Sequence, residues 1–332
     1  MSKMNMIQSI NLALDQEMQR DSKIIIMGED VGVTGGVFRA TNNLINKYSD
    51  KRVIDTPLAE AAIIGTALGM ALAGLRPVVE IQFAGFSYVA FSQLEGHISR
   101  YRWRTQGLYT VPLVVRMPYG AGVRALEHHS ESREAYFAHT PGLKVVIPST
   151  PRNARALLVS AIRDPDPVIF MEPTKSYRAF KEEVPETEEI IPIGKAQIIQ
   201  QGEEITVISY GAMMRSVLKA AAEIEHNKQD KQNKKNSIEI IDLLTISPLD
   251  IDTICESVKK TGRCVIVQEA PRSFSVASEI IATINDKILM HLKAPVKRIT
   301  GYDLPMPYFK REEMYIPSIS QISNAIEETL KF

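Results

Sequence analysis

Residues 52–73 read RVIDTPLAEAAIIGTALGMALA, from Arg52 to Ala73. A short apolar run, Arg52–Ile54, predicts a strand. Leu58–Ala73 predicts a helix packed closely enough to need Gly and Ala. Between them, Thr56 can cap the helix and Pro57 suits its first position. Glu60 then falls in the first turn, near the carboxyl end of the strand, the edge where open α/β sheets take their ligands. The carboxylate either complements the helix dipole or faces a ligand.

The same unit recurs on both sides. Ile24–Met27 predicts a strand and Val37–Tyr48 a helix. Pro77–Phe83 predicts a strand, followed by a helix over Tyr88–Trp103. Leu113–Met117, Leu143–Ile147 and Val168–Met171 predict strands, the last two bracketing a helix that Pro151 opens. Met1–Arg20 predicts a helix with Ile7, Ile10, Leu14 and Met18 on one face. Strand and helix in alternation imply a mainly parallel sheet covered on both faces.

The composition breaks at Lys181–Pro192 (KEEVPETEEIIP), which is acidic and reads as a linker or an extended crossing segment. The alternation then restarts with strands at Ile205–Ser209, Ile238–Leu243, Cys264–Gln268 and Val296–Ile299. Helices are expected over Met213–Glu225, Asp250–Lys260, Val276–Met290 and Ile319–Leu330. Asn227–Ser237 is polar and reads as a solvated loop. A chain of 332 residues suits two cores. The expectation is an α/β protein of two domains, each a mainly parallel sheet flanked by helices: 1–180, a linker over 181–200, and 201–332.

Composition narrows the function. Lys+Arg and Asp+Glu both number 39, so net charge gives no reason to expect nucleic acid or an anionic membrane as partner. Cys255 and Cys264 show neither zinc-ligand spacing nor a disulfide framework. No stretch reaches the roughly 18 apolar residues of a membrane span. Met1–Arg20 lacks the pattern of a signal peptide, so a cytoplasmic location is expected. No nucleotide-binding GxGxxG follows the first strand, and neither a P-loop nor a GxSxG occurs.

A few side chains stand out. Phe83, Phe86 and Tyr88 follow a strand ending in Glu80-Ile81-Gln82, where an aromatic ring either joins the core or stacks on a flat ligand. His128 and His129 lie in a loop after Tyr119-Gly120-Ala121-Gly122, where imidazoles can act as general acids or bases or simply be surface groups. Arg100, Arg102 and Arg104 suit a solvated or subunit-facing surface.

Taken together and in order, these stretches resemble a family. GEDVG at Gly28–Gly32, DTPLAE at Asp55–Glu60, AGLRPVVEIQF at Ala73–Phe83, PGLKVVIPSTP at Pro141–Pro151, FMEPTKSYR at Phe170–Arg178, EIIDLLTISPLD at Glu239–Asp250 and KTGRCVIVQEAP at Lys260–Pro271 are similar to the beta subunits of pyruvate and branched-chain 2-oxo acid dehydrogenases. These are transketolase-like thiamine diphosphate enzymes. The resemblance implies a first domain that binds the cofactor's pyrimidine and a carboxy-terminal assembly domain. The family holds the diphosphate and Mg²⁺ in the alpha subunit through a GDG…N motif, which this chain lacks. It thus implies shared sites in an α₂β₂ assembly, docked on a lipoyl-bearing acyltransferase core.

Site roles follow by the same resemblance. Glu60 matches the glutamate that hydrogen-bonds N1′ of the aminopyrimidine. Leu58 matches a backbone contact to that ring, Gln82 a polar site residue and Phe86 the ring that stacks on the pyrimidine. His129, followed by Ser130, matches the histidine that faces substrate and assists acyl transfer to lipoyl; His128 is an extra residue. A structural K⁺ site in many members corresponds to carbonyls of Leu113, Ala161, Ile162, Asp164 and Asp166. The implied activity is oxidative decarboxylation of pyruvate or a branched-chain 2-oxo acid, with a slight lean to branched-chain acids from Phe170–Arg178. The alternatives are the beta subunit of an acetoin dehydrogenase or other split thiamine enzyme, and a non-catalytic scaffold subunit.

Overall fold

The computed structural model describes residues 2–229 and 237–332. The strands are β1 (Ser2–Met4), β2 (Ile24–Gly28), β3 (Val53–Asp55), β4 (Arg76–Glu80), β5 (Val114–Tyr119), β6 (Lys144–Val146), β7 (Val168–Pro173), β8 (Glu182–Val184), β9 (Gln197–Gln200), β10 (Ile205–Ser209), β11 (Ile238–Asp242), β12 (Thr245–Ser247), β13 (Cys264–Val267) and β14 (Lys297–Ile299). The first large sheet runs β12-β6-β7-β5-β4-β2-β3 and is parallel except at β12–β6. The second runs β14-β13-β10-β11-β9 and is parallel except at β11–β9. This is the expected pair of mainly parallel sheets.

Runs buried on both faces explain the parallel pairing. β2, β5 and β7 are buried at every residue, which fits central strands covered by helices above and below. The helix Met6–Arg20 buries Ile7, Ile10, Leu14 and Met18 as expected and packs on the helix Pro151–Arg163. Pro151 opens that second helix, and Thr150 caps it by accepting the Asn153 N–H at 3.2 Å.

The structure departs from the sequence reading in several places. The helix expected over Val37–Tyr48 is only Leu44–Tyr48; turns with left-handed Gly35, Gly36, Arg39 and Asn43 precede it. The helix expected over Tyr88–Trp103 is a series of short helical turns from Ala84 to Arg104, one of them a π-turn over Leu94–Ile98. The acidic 181–192 segment contains β8, which pairs antiparallel with β1. β12, from the second half of the chain, joins the edge of the first sheet at β6. Three-residue edge strands carry too little alternation to show in sequence. Of the polar run Asn227–Ser237 expected as a loop, 227–229 continue the helix Met213–Gln229, and 230–236 lie outside the described residues. Among the described residues, no helix is long and apolar enough to cross a membrane.

One charged group sits at the middle of the first sheet. Arg116, on β5, is 1% exposed. Its Nη1 donates to Glu80 Oε2 on β4 at 2.9 Å, and its Nε lies 2.7 Å from Glu172 Oε1 on β7. The Tyr177 hydroxyl donates to Glu172 Oε2 at 2.6 Å. Burial pushes the guanidinium down, but the two carboxylates more than reverse this and hold it charged, above its ordinary range. Replacing Arg116 with Met would leave two buried carboxylates without their cation. Arg116→Met should cost about 3–5 kcal/mol in a denaturant unfolding experiment; a loss below 1 kcal/mol would show that the carboxylates take up protons without penalty.

Candidate active site

Four segments leave the first sheet along one edge, at the carboxyl ends of β2, β3, β4 and β5. After β2, Gly28 leads into Glu29 and Asp30. Asp55, ending β3, accepts the Gly32 N–H at 2.6 Å and the Val33 N–H at 3.1 Å, which fixes the Gly28–Gly36 loop over the sheet. A Cβ on Gly32 would stand 2.7 Å from Asp55 Oδ2, so that position admits only glycine without rearrangement. Gly32, Gly35 and Gly36 are thus parts of an internally bonded turn, with Gly36 N–H donating to Asp30 O at 2.7 Å.

The helix after β3 starts at Glu60, two residues later than expected, and ends at Leu72. Thr56 does not cap it. The Thr56 N–H donates to Gly28 O at 2.9 Å, which draws residues 56–59 across the end of β2, and Ala59 takes the cap position without a side-chain bond. Glu60 is thus the first helical residue and buried, while Leu58 on the extended approach is 78% exposed. Glu29 lies close by. Burial, and then the charges of Glu60 and Asp30, raise its carboxyl above the ordinary range. Glu29 was not singled out in the sequence; a carboxylate directly after a buried strand was the available signal.

The segment after β4 brings the aromatic rings. Gln82 Nε2 donates to Asp30 Oδ2 at 3.3 Å, tying β4 to the loop after β2. Phe83 and Phe86 meet edge to face, with centroids 5.9 Å apart. The turn Ala84–Ala90 packs on the helix Glu60–Leu72 on one side and on the turn Glu127–His129 on the other. The His129 ring stands edge-on to Phe83 at 4.4 Å and to Phe86 at 5.2 Å. Its Nδ1 is buried with no hydrogen-bond partner among the described residues. His128 is exposed and lies 6.1 Å from the Tyr88 ring. Phe86 and His129 therefore share one cluster, and Glu60, Leu58 and Gln82 stand along the same sheet edge.

A buried acceptor at the start of a helix, an open apolar approach at Leu58 and a half-buried ring at Phe86 fit a flat heterocycle with polar ring nitrogens. Among the described residues, no group of three or more His, Cys, Asp or Glu could hold a metal ion.

Of the residues matched to a potassium site, Ile162, Asp164 and Asp166 face cationic side chains, while Ala161 and Leu113 do not. Ile162 O accepts from Arg76 Nη1 at 2.9 Å, and Asp164 O lies 3.4 Å from the same nitrogen. Ala161 O accepts the Asp164 N–H at 3.3 Å, and Leu113 O the Val168 N–H at 2.9 Å. The Asp164 carboxylate takes Lys144 Nζ at 2.7 Å, and that of Asp166 takes Arg102 Nη1 at 2.7 Å. A carbonyl cage for K⁺ at this place would share the oxygens of Ile162 and Asp164 with the Arg76 guanidinium.

Residues 2–179 match the family described as the transketolase pyrimidine binding domain, and residues 194–322 the transketolase C-terminal domain. The chain is 47% identical to the pyruvate dehydrogenase E1 component subunit beta of Acholeplasma laidlawii, covering 100% of this chain and 99% of the relative. It is 46% identical to the subunit of that name in Bacillus subtilis (strain 168), over 100% of both. A solved split-gene transketolase, described as an inactive beta4 tetramer, superposes with a TM-score of 0.80 over 99% of both chains at 18% identity, a likeness of fold. The chain belongs to the transketolase-like family of 2-oxo acid dehydrogenase beta subunits.

The close approach of the two turns yields a prediction. A Cβ on Gly85 would stand 1.9 Å from the His128 carbonyl oxygen, and backbone on both sides leaves little room to give. Gly85→Ala should push the turn at Glu127–His129 outward and speed tryptic cleavage after Arg124, in the same loop. Cleavage at the wild-type rate would show that the two turns are not held together.

Proposed function

We propose that this chain is the beta subunit of the decarboxylating component of a pyruvate dehydrogenase complex, working with an alpha subunit as α₂β₂. The observation that carries the reading is the His129 ring set against Phe83 and Phe86, beside the helix that begins at Glu60. Pyruvate is preferred to a branched-chain acid because the relatives named above are pyruvate dehydrogenases. The exposed Trp103 and Leu108, beside Arg100, Arg102 and Arg104, support a face that a partner covers.

Thiamine diphosphate, when bound, supplies the nucleophilic carbon and the electron sink that decarboxylation of a 2-oxo acid requires. This chain would contribute the pyrimidine half of the site, leaving the diphosphate and Mg²⁺ to the alpha subunit. The Glu60 carboxyl would hydrogen-bond a pyrimidine ring nitrogen and bias which nitrogen carries the proton; away from water, such a charge-assisted bond is strong. Phe86 would stack on the ring, Leu58 would meet it through its backbone, and Gln82 would sit at its edge. His129, with its free buried nitrogen, would hold or move a proton during acyl transfer to a lipoyl group. No step is routed through potassium. Nothing observed favours the acetoin-type or scaffold alternative over this reading.

The test is pyruvate-dependent reduction of an artificial electron acceptor, with thiamine diphosphate and Mg²⁺ present, by this chain alone and co-expressed with its alpha partner. Activity is expected only in the pair. Glu60→Gln in the pair should lower turnover by about a hundred-fold or more, the range for losing a proton-handling group. Full activity would remove the role. His129→Ala should keep acceptor reduction while impairing acylation of a lipoyl domain; loss of both in equal measure would assign His129 to the first half-reaction instead.

A further inference from the structure

The loop that carries His129 runs from Gly120 to Ser130, and its stem is closed by the Gly120 N–H donating to Glu131 O at 3.1 Å. The second domain holds its first residues. The Ala121 N–H donates to a carboxylate oxygen of Glu269, two residues beyond β13. The Gly122 N–H donates to Glu312 Oε1 at 2.7 Å, from the short helix Glu312–Tyr315. Both carboxylates are buried, at 4% and 3% exposure. Gly120 has φ +79°, and a Cβ there would stand 2.7 Å from Glu269 Oε1. On the first domain's side, Thr174 Oγ1 lies 3.0 Å from the carbonyl oxygens of Gly120 and Ala121.

Two buried carboxylates facing two successive amides are costly unless those bonds are needed, because each charge loses its water. Burial, chiefly, lifts Glu269 to about 7; Glu134 and Glu312 add to the rise, while the Ala121 N–H and Lys175 oppose it. The cost falls where it fixes the loop bearing the imidazole.

We infer that Glu269 and Glu312 are positioning residues: through them the carboxy-terminal domain sets the place from which His129 acts. The second domain then reaches into the site as well as into assembly. The inference rests on the reading of His129 given above, and its test separates the two.

The experiment is hydrogen exchange, resolved to the peptide over 119–131, on the enzyme assembled with its alpha partner. Glu269→Ala and Glu312→Ala should each speed exchange in that peptide about ten-fold, the effect of losing one charge-assisted hydrogen bond. Glu269→Gln keeps an acceptor oxygen and should restore slow exchange. Glu313→Ala, which breaks only the exposed pair with Arg124, should leave exchange unchanged. In both alanine variants lipoyl acylation should fall while acceptor reduction is kept. If Glu269→Ala does not fold, Glu312→Ala and Glu269→Gln carry the comparison. Wild-type exchange in Glu312→Ala and in a folded Glu269→Ala, or exchange in Glu269→Gln as fast as in Glu269→Ala, would overturn the inference. Fast exchange with unchanged acylation would support the anchoring and overturn the role given to His129.

Discussion

The salt bridge of Arg116 with Glu80 and Glu172 spans three neighbouring strands and is almost wholly buried. It is the constraint to which the rest of the first domain is tied. Such a cluster is weak evidence for net stability, since apolar side chains of similar size would do as well or better. What it does supply is register. A one-residue slip of β4 or β7 would leave a buried charge without its partner. Fixed register fixes where each strand ends, and Leu58, Glu60, Gln82 and Phe86 stand within six residues of the ends of β3 and β4. Glu80 lies two residues before Gln82 and three before Phe83. Glu172 bonds Tyr177, whose ring lies 4.9 Å from Phe38 in the loop that follows β2.

The site is consequently a property of an edge. Asp55 holds the loop after β2, the extended Thr56–Ala59 segment sets Glu60 at the start of its helix, and the turn after β4 stacks rings against His129. These groups come from separate stretches of the chain: the loop after β2, Asp55–Glu60, Gln82–Phe86 and His129. The parallel sheet brings them together, and the second domain secures the last of them from behind.

Much of this was legible in the residues. Alternation of apolar runs with helical patterns gave both sheets, and the resemblance gave Glu60, Phe86 and His129 together. The charge cluster was not read there: Glu80, Arg116 and Glu172 stand singly in or beside apolar runs, and their pairing needed the strand order. Other features left no trace. The start of the helix at Glu60 was hidden because Thr56 and Pro57 form a plausible cap, and only the bond from Thr56 N–H to Gly28 O shows why it is unused. β1, β8 and β12 are too short to show a period. Backbone carbonyls have no side-chain signature, so the engagement of Ile162 and Asp164 by Arg76 could not be read. The holds of Glu269 and Glu312 join residues more than a hundred positions apart, and neither glutamate differs from a surface residue in sequence.

The central claim is that this chain presents the pyrimidine half of a thiamine site, with Glu60 as its proton-handling group. The most direct measurement is a crystal structure of the enzyme assembled with its alpha partner and thiamine diphosphate. The account predicts the aminopyrimidine stacked on Phe86, with a ring nitrogen in hydrogen-bond contact with the Glu60 carboxylate, about 2.6–3.2 Å away. A pyrimidine bound elsewhere, or one whose ring nitrogens meet only the alpha subunit or water, would contradict it.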